Sequence, residues 1–323
     1  MGNFPTTLYI ENLIDDFGIW QHSDETSILF REGYALDDAA RGLVLTLALG
    51  NQKQSEVLLS YIINSKAKKG FIGFFGPDRK AIKAIASDDA TGQVVWAAGL
   101  AYSKGFHVKE AKQLIRHAVD YLNMNRNMRG FTYGLLGAVY LDKKLADSMY
   151  LKLKTMFDKK SDDWPWPEPK LTYGNGIMPY ALLRYGMVFD NDEAINLGMK
   201  LLAFIEGRCT NNRKRGPIGN DGWLPRNKGS APAYSQQPID AAYMVWAWLA
   251  AYKISKNPSH LEKSRAWFNW FEGDNIAGEK MYDPADMRCY DGIDPGGVHR
   301  NSGAESNICL LLSKYMLFDE KVI

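Results

Sequence analysis

Carboxylic acids recur in this chain just ahead of apolar runs. Asp37-Asp38 precede the run over 43–49, Asp88-Asp89 precede 93–102, and Glu305 heads NICLLLSKYMLF. Glu168 stands in the segment WPWPEP, and Asp291 and Asp294 stand in DGIDPGGVHRNSGAES. Cleavage of a glycosidic bond needs such groups: a carboxylic acid beside the leaving oxygen and a carboxylate as base or nucleophile. The acid must keep its proton, which burial or a second carboxylate arranges. Glu168, in an aromatic loop stiffened by proline, is the first candidate for the acid. Asp291, flanked by glycines that permit close backbone approach, is the first candidate for the base. Asp38 and Asp89 are candidates for the same work or for binding hydroxyls, with Asp37 and Asp88 beside them. Glu305, at a helix start, is a candidate to bind substrate or orient water.

Each acid also has a bland reading. Asp and Ser are ordinary N-cap residues, and a helix N-terminus stabilises any carboxylate. The functional reading is collective, because acids doubled at two helix starts exceed what capping uses. Aromatic residues in loops point the same way. Trp166, Tyr173 and Trp223 lie between helical runs, where flat rings near carboxylates suit sugar rings, although loop anchoring is the competing role. His299 lies in the same glycine-rich loop as Asp294 and is the one histidine placed to shuttle a proton.

Other chemistries lack their motifs. There is no HExxH and no paired CxxC, so no metal is expected. GxGxxG and Walker sequences are absent, so no nucleotide cofactor is implied. Net charge is +2, which gives no reason to expect nucleic acid, and the only tight basic run is Arg213-Lys214-Arg215. No run of 18 apolar residues marks a membrane span. The start, MGNFPTTLYIENLIDDFG, lacks the basic and apolar regions of a secretory leader. With three distant cysteines, that predicts reduced thiols and a cytoplasmic location.

These groups need elements to hold them. The apolar fraction of 46% is enough for a large core. Helices apolar all round are predicted to begin near Asp38, Asp89, Phe131, Asn175, Pro238 and Glu305. Between them lie amphipathic segments at 55–65, 108–123, 144–157, 193–206 and 260–271. A first helix over Thr7–Phe17 supplies a partner for the last. No alternating series marks a sheet. The expected fold is all-α, an (α/α)6 toroid, formed as a single domain over 1–323. Parallel enclosed helices would bring their acidic starts to one rim.

The motifs YALDDAARG, DDATGQVVWAAG, WPWPE…LTYGNG, GWLPR, QQPIDAAYM and YDGI…GVHRNSGAES resemble a family of uncharacterised (α/α)-toroid domains. These domains occur alone or fused behind retaining glycosyltransferases. The resemblance runs from about Tyr34 to Leu312, with a distant likeness to six-hairpin glycosidases and sugar epimerases. It implies shared polar positions at Asp37, Asp38, Asp89, Trp166, Glu168, Tyr173, Asn175, Gln236, Gln237, Asp291, Gly292 and Glu305. The chain departs from the pattern with DDAAR for DDNAR, NSGAES for NQGAES, and Asp240 for a glutamate. The expected activity is a glycoside hydrolase acting on an oligosaccharide or glycan. The alternatives are a sugar epimerase, isomerase or phosphorylase, or a glycan-binding domain serving a glycosyltransferase.

Overall fold

A computed structural model of the chain describes residues 8–319, apart from 26, 126, 159, 212 and 213. The start of the expected first helix at Thr7, and Arg213 of the basic run, lie outside the described residues. The fold class is the expected one: all-α, of the (α/α)6 type, with twelve α-helices among the described residues. Chain contacts separate two compact units.

The first unit is Ile10–Lys154 with Gly303–Ile308. It holds α1 (Ile10–Leu13), α2 (Leu36–Leu49), α3 (Gln52–Asn64), α4 (Asp88–Ser103), α5 (Val108–Leu122), α6 (Met128–Ala138) and α7 (Lys143–Phe157) as far as Lys154. α2, α4 and α6 are buried on nearly every side. α5 buries Ala111, Leu114, Ile115, Ala118 and Leu122, one stripe at helical spacing, and packs on α4. α3 packs likewise on α2. α4 and α6 approach through glycines. A Cβ on Gly92 would lie 2.4 Å from the Gly130 carbonyl oxygen, and one on Gly137 would lie 2.0 Å from that of Val95. No larger residue fits there without moving backbone.

Two expectations fail here, each for a local reason. The N-terminal helix covers only Ile10–Leu13 of the described residues. The Asp15 carboxylate accepts the N–H groups of Phe17 and Gly18 at 2.8 and 3.0 Å, which turns the chain instead of continuing the helix. The stretch after α3 contains strands. β1 (Tyr34–Ala35), β2 (Ile72–Phe75) and β3 (Ala81–Ile85) form a small antiparallel sheet. Its Tyr34 and Phe75 face is buried, whereas Phe74 and Ile82, paired across β2 and β3, are exposed. Strands this short, with apolar side chains on both faces, carry no readable alternation.

The second unit is Thr155–Ser302 with the described residues up to Tyr9 and from Cys309. It holds α8 (Ile177–Phe189), α9 (Asp192–Cys209), α10 (Pro238–Ser255), α11 (Pro258–Phe268) and, from Cys309, α12 (Ala304–Asp319). α8 packs on α9, α10 on α11, and α8 on α10. α10 starts with Pro238, whose missing N–H costs nothing at that position, and is buried continuously to Ala251. Its indoles are satisfied: Trp246 donates to the Ser313 hydroxyl, and Trp248 shares Glu206 with Trp267 of α11. Two-residue ladders join Lys170–Leu171 to Leu224–Pro225, and Gly292–Asp294 pairs with Gly297–His299. No described helix is long and apolar enough to cross a membrane.

Candidate active site

In the first unit the acids at the start of α2 do not cap it. Its N-cap is Ala35, whose side chain makes no cap bond, and Asp37 and Asp38 lie in the first turn. Both accept from one nitrogen of Arg41, at 3.1 and 2.9 Å. The spacing explains this: residues three and four apart share a helix face. The other terminal nitrogen of Arg41 lies 2.8 Å from Glu305 Oε2, in the first turn of α12. Arg41 is buried, and the side chains of Asp37 and Glu305 are each 37% exposed. One guanidinium therefore meets three carboxyl groups. Burial, then the Asp37 charge, push the Asp38 carboxyl up to about 8; Arg41 opposes the shift and Glu305 adds to it. Tyr61 of α3 packs against Phe17 and Phe75, and its buried hydroxyl has no hydrogen-bond partner. Burial, then Asp38 and Asp37, raise its phenol far above the usual range.

α4 separates the roles of its acidic head. Ser87 is the N-cap, accepting from the Ala90 N–H at 3.1 Å. Asp88 accepts from the Asn125 amide at 2.7 Å, and Asp89 is half-buried.

In the second unit Glu168 organises its own loop. The Trp166 indole donates to its carboxylate at 3.3 Å, and the Trp164 indole donates to its carbonyl at 2.8 Å. Both rings are covered, Trp166 edge-on to Phe157 and Trp164 edge-on to Phe204. A cavity of about 460 Å³ lies here, lined by Lys160, Ser161, Trp164, Trp166, Glu168 and Arg226. The Lys170 ladder sets its ammonium 4.3 Å from the half-exposed Trp223 ring, and the Trp223 indole donates to Asn220.

Several expected binding residues hold loops together. Asn175 donates to the Thr172 carbonyl at 2.7 Å and accepts from its N–H at 3.3 Å. Asp240 accepts the Gly174 N–H at 2.7 Å, tying α10 to the turn that carries the 39% exposed Tyr173. Gln236 accepts from the Trp270 indole, and its backbone pairs with Ile293. A Cβ on Gly292 would sit 2.6 Å from the Gln236 carbonyl oxygen, so that pairing requires glycine. Asp294 accepts from the Ser235 hydroxyl. Gln237 is half-buried as the N-cap of α10, without a side-chain cap bond. The Asp291 side chain is half-buried, and its N–H donates to Asn301. His299 is exposed on its strand.

The structure thus gathers Asp37, Asp38 and Glu305 on Arg41. It also links the loops bearing Tyr173, Asn175, Gln236, Asp291 and Asp294 within the second unit. Arg41 and Tyr61 were not singled out in the sequence. A lone arginine three and four residues after an acidic pair, within an apolar run, is the signal that finds Arg41. Size alone does not locate a site: a larger hollow, about 640 Å³, lies against α5 and α7 beside Tyr102, Arg116 and Lys144, and no candidate acid lines it. No group of three or more potential metal ligands clusters among the described residues.

No protein-family model matches the chain, and no curated protein matches it. Solved structures do. A D-mannose isomerase aligns at TM-score 0.74 and 12% identity, over 97% of this chain and 94% of its own. A cellobiose 2-epimerase from Bacillus thermoamylovorans aligns at 0.67 and 12%, over 96% of each chain. An alpha-mannanase from Bacteroides thetaiotaomicron aligns at 0.63 and 12%, over 95% and 92%. At these identities the likeness defines the fold.

Proposed function

We propose that the chain is a carbohydrate-active enzyme, and that it cleaves a glycosidic bond using carboxyl groups as acid and base. The observation that carries this reading is the Arg41 cluster. Three carboxyl groups meet one buried guanidinium; burial and the Asp37 charge push the Asp38 carboxyl up to about 8, while Asp37 and Glu305 remain half-exposed. Glycoside cleavage needs a carboxyl that gives a proton and a carboxylate that activates water or attacks carbon. In this scheme Asp38 stores the proton, and Asp37 and Glu305 are the groups substrate meets. Asp89 is the sugar-binding acid of the first unit; within the second unit Glu168 and Asp291 form the other acid and base set under test, with Tyr173 and Trp223 to bind sugar. The mannanase among the structural neighbours supports the reading, although fold alone does not choose a reaction. A cytoplasmic oligosaccharide or glycan as substrate, with a functional link to a glycosyltransferase, completes the proposal.

Sugar isomerisation or epimerisation is the second reading, favoured by the alignment with a D-mannose isomerase over nearly the whole chain. One experiment separates the two. The protein is incubated in D2O with free sugars and with oligosaccharides, and products are followed by NMR. A new reducing end shows hydrolysis. Deuterium at C2 with no new end shows isomerisation or epimerisation. Turnover only with added phosphate shows a phosphorylase, and binding without turnover shows an accessory domain. With a substrate in hand, Asp38→Asn, Glu305→Gln, Glu168→Gln and Asp291→Asn are compared. Full turnover by all four removes the carboxylate mechanism.

A further inference from the structure

The β2–β3 hairpin of the first unit carries a surface that the reaction scheme does not use. Ile72 pairs with Ile85 and Phe74 with Ile82, so these four side chains share one face of the ladder. From one pair to the next β3 takes three steps where β2 takes two, and that bulge brings Ile82 and Ile85 to the same side. β3 is an edge strand of its sheet. Phe74, Ile82 and Ile85 are 42%, 52% and 57% exposed, which leaves three large apolar groups together in water.

Cations stand at both ends of this row. Lys66, Lys68 and Lys69 are exposed in the turn that leads into β2, closed by the bridge between Lys66 and Phe71. Lys80 is exposed where the hairpin loop enters β3. Arg79 is taken up by Asp15 and Asp16, and Lys80 lies 3.0 Å from Asp78. Among the described residues no carboxylate pairs with Lys66, Lys68 or Lys69. The whole-chain charge hides this concentration. Six of the 39 lysines and arginines, but one of the 37 acids, fall between Lys66 and Lys83; the rest of the chain, 33 cations against 36 acids, is net acidic.

Charge chooses the occupant of such a face. A second copy would bring an equally basic edge against this one, and a bulged, lysine-bearing edge strand resists further pairing. A neutral apolar partner would leave the lysines unanswered. A bilayer containing anionic lipid meets both features: its headgroups attract lysines, and the boundary between headgroups and acyl chains takes up exposed apolar side chains.

We propose that the β2–β3 hairpin docks the protein on anionic membrane surfaces, with Phe74, Ile82 and Ile85 entering the headgroup boundary and Lys66, Lys68 and Lys69 holding lipid phosphates. The docking is peripheral and reversible, because few side chains insert. It stands or falls independently of the reaction at the carboxyl cluster.

Vesicle sedimentation of the full chain tests it, with phosphatidylcholine alone and with a two-to-one mixture of phosphatidylcholine and phosphatidylglycerol. The wild type is expected to bind the mixture at low salt and to bind phosphatidylcholine about tenfold more weakly or worse. Ile82→Ser combined with Ile85→Ser should weaken binding to the mixture about tenfold. Lys68→Gln combined with Lys69→Gln should weaken it about thirtyfold, at about fivefold for each lysine. These positions are exposed, so circular dichroism should not change. Leu151→Ser removes a comparably exposed apolar side chain from α7 and should bind as the wild type does. Ile82→Cys carrying an environment-sensitive fluorophore adds a readout that attraction by charge alone does not move. The native cysteines are buried, so the label goes to the hairpin, and its emission should shift to the blue on the mixed vesicles. A wild type that stays in solution with the mixture overturns the proposal, as does unchanged binding in either hairpin double variant. Binding without the blue shift also overturns it, by showing adsorption of charge without docking of the apolar face. Retention of single-stranded RNA or polyglutamate, where vesicles fail, overturns it in favour of a polyanionic partner.

Discussion

Arg41 joins Glu305 through one terminal nitrogen and Asp37 and Asp38 through the other, so the start of α12 is fastened to the start of α2 by a single buried guanidinium. Removing that charge while leaving the carboxyls in place is expected to be costly. Arg41→Met should lower stability by about 3–5 kcal/mol, as when one partner of a buried ion pair is lost. Urea denaturation measures it. A loss below about 1 kcal/mol would mean that the carboxyls find water when the arginine is gone.

The Asp38 proton gives a pH dependence with a definite sign. Its carboxyl titrates near 8 in the folded protein, against 3.8 for a free side chain. The folded state therefore holds a proton that the unfolded chain releases between those values. Stability from this group is complete below about pH 4 and declines as pH rises to about 8. Asp38→Asn has no proton to lose. Its stability should vary less across that window, and it should exceed the wild type at pH 9 by on the order of a few kcal/mol. Parallel curves for the two proteins would show that the native carboxyl ionises normally.

The loop around Glu168 depends on two indole donors. Trp166→Phe keeps an aromatic ring against Phe157 but deletes the N–H to the carboxylate. A modest destabilisation, about 1 kcal/mol, is expected. If Glu168 is the general acid, kcat should fall well beyond that equivalent with little change in KM. An unaltered kcat on a confirmed substrate would assign Glu168 to loop structure.

The glycine contacts make a sharper stability prediction. Gly137→Ala would place a methyl group 2.0 Å from the Val95 carbonyl oxygen, which is backbone and cannot rotate away. A loss of about 3 kcal/mol or more is expected, at the upper end for overpacking. Gly105→Ala meets nothing nearby and should cost only the strain of its positive φ. Thermal melts of the pair make the comparison.

Much of the fold was legible because its signal is long and repetitive. Buried helices expected to start near Asp38, Asp89, Phe131, Asn175, Pro238 and Glu305 begin at Leu36, Asp88, Met128, Ile177, Pro238 and Ala304. Apolar runs bounded by polar loops fix such starts to within a few residues. The first helix and the β2–β3 hairpin were not legible, because one Asx turn and a few cross-strand bonds decided them. The site was legible in its acids and illegible in their partners. Asp37, Asp38 and Glu305 stand out as charges at helix heads, whereas Arg41 is a single polar residue inside an apolar stretch. Conversely, Asn175 and Gln236 read as ligand contacts, yet their side chains bond to Thr172 and Trp270.

The upward push on the Asp38 carboxyl also bears on how the molecule migrates. The formal charge of +2 at pH 7 counts every carboxyl as ionised. A carboxyl pushed up to about 8 is expected to add close to one unit of positive charge to that tally at pH 7. Capillary electrophoresis of the wild type and Asp38→Asn at pH 7 should show nearly equal mobilities. At pH 9.5, above the pI of about 8.2, both proteins are anionic, and the wild type with its ionised carboxyl should carry one more negative charge and move faster toward the anode.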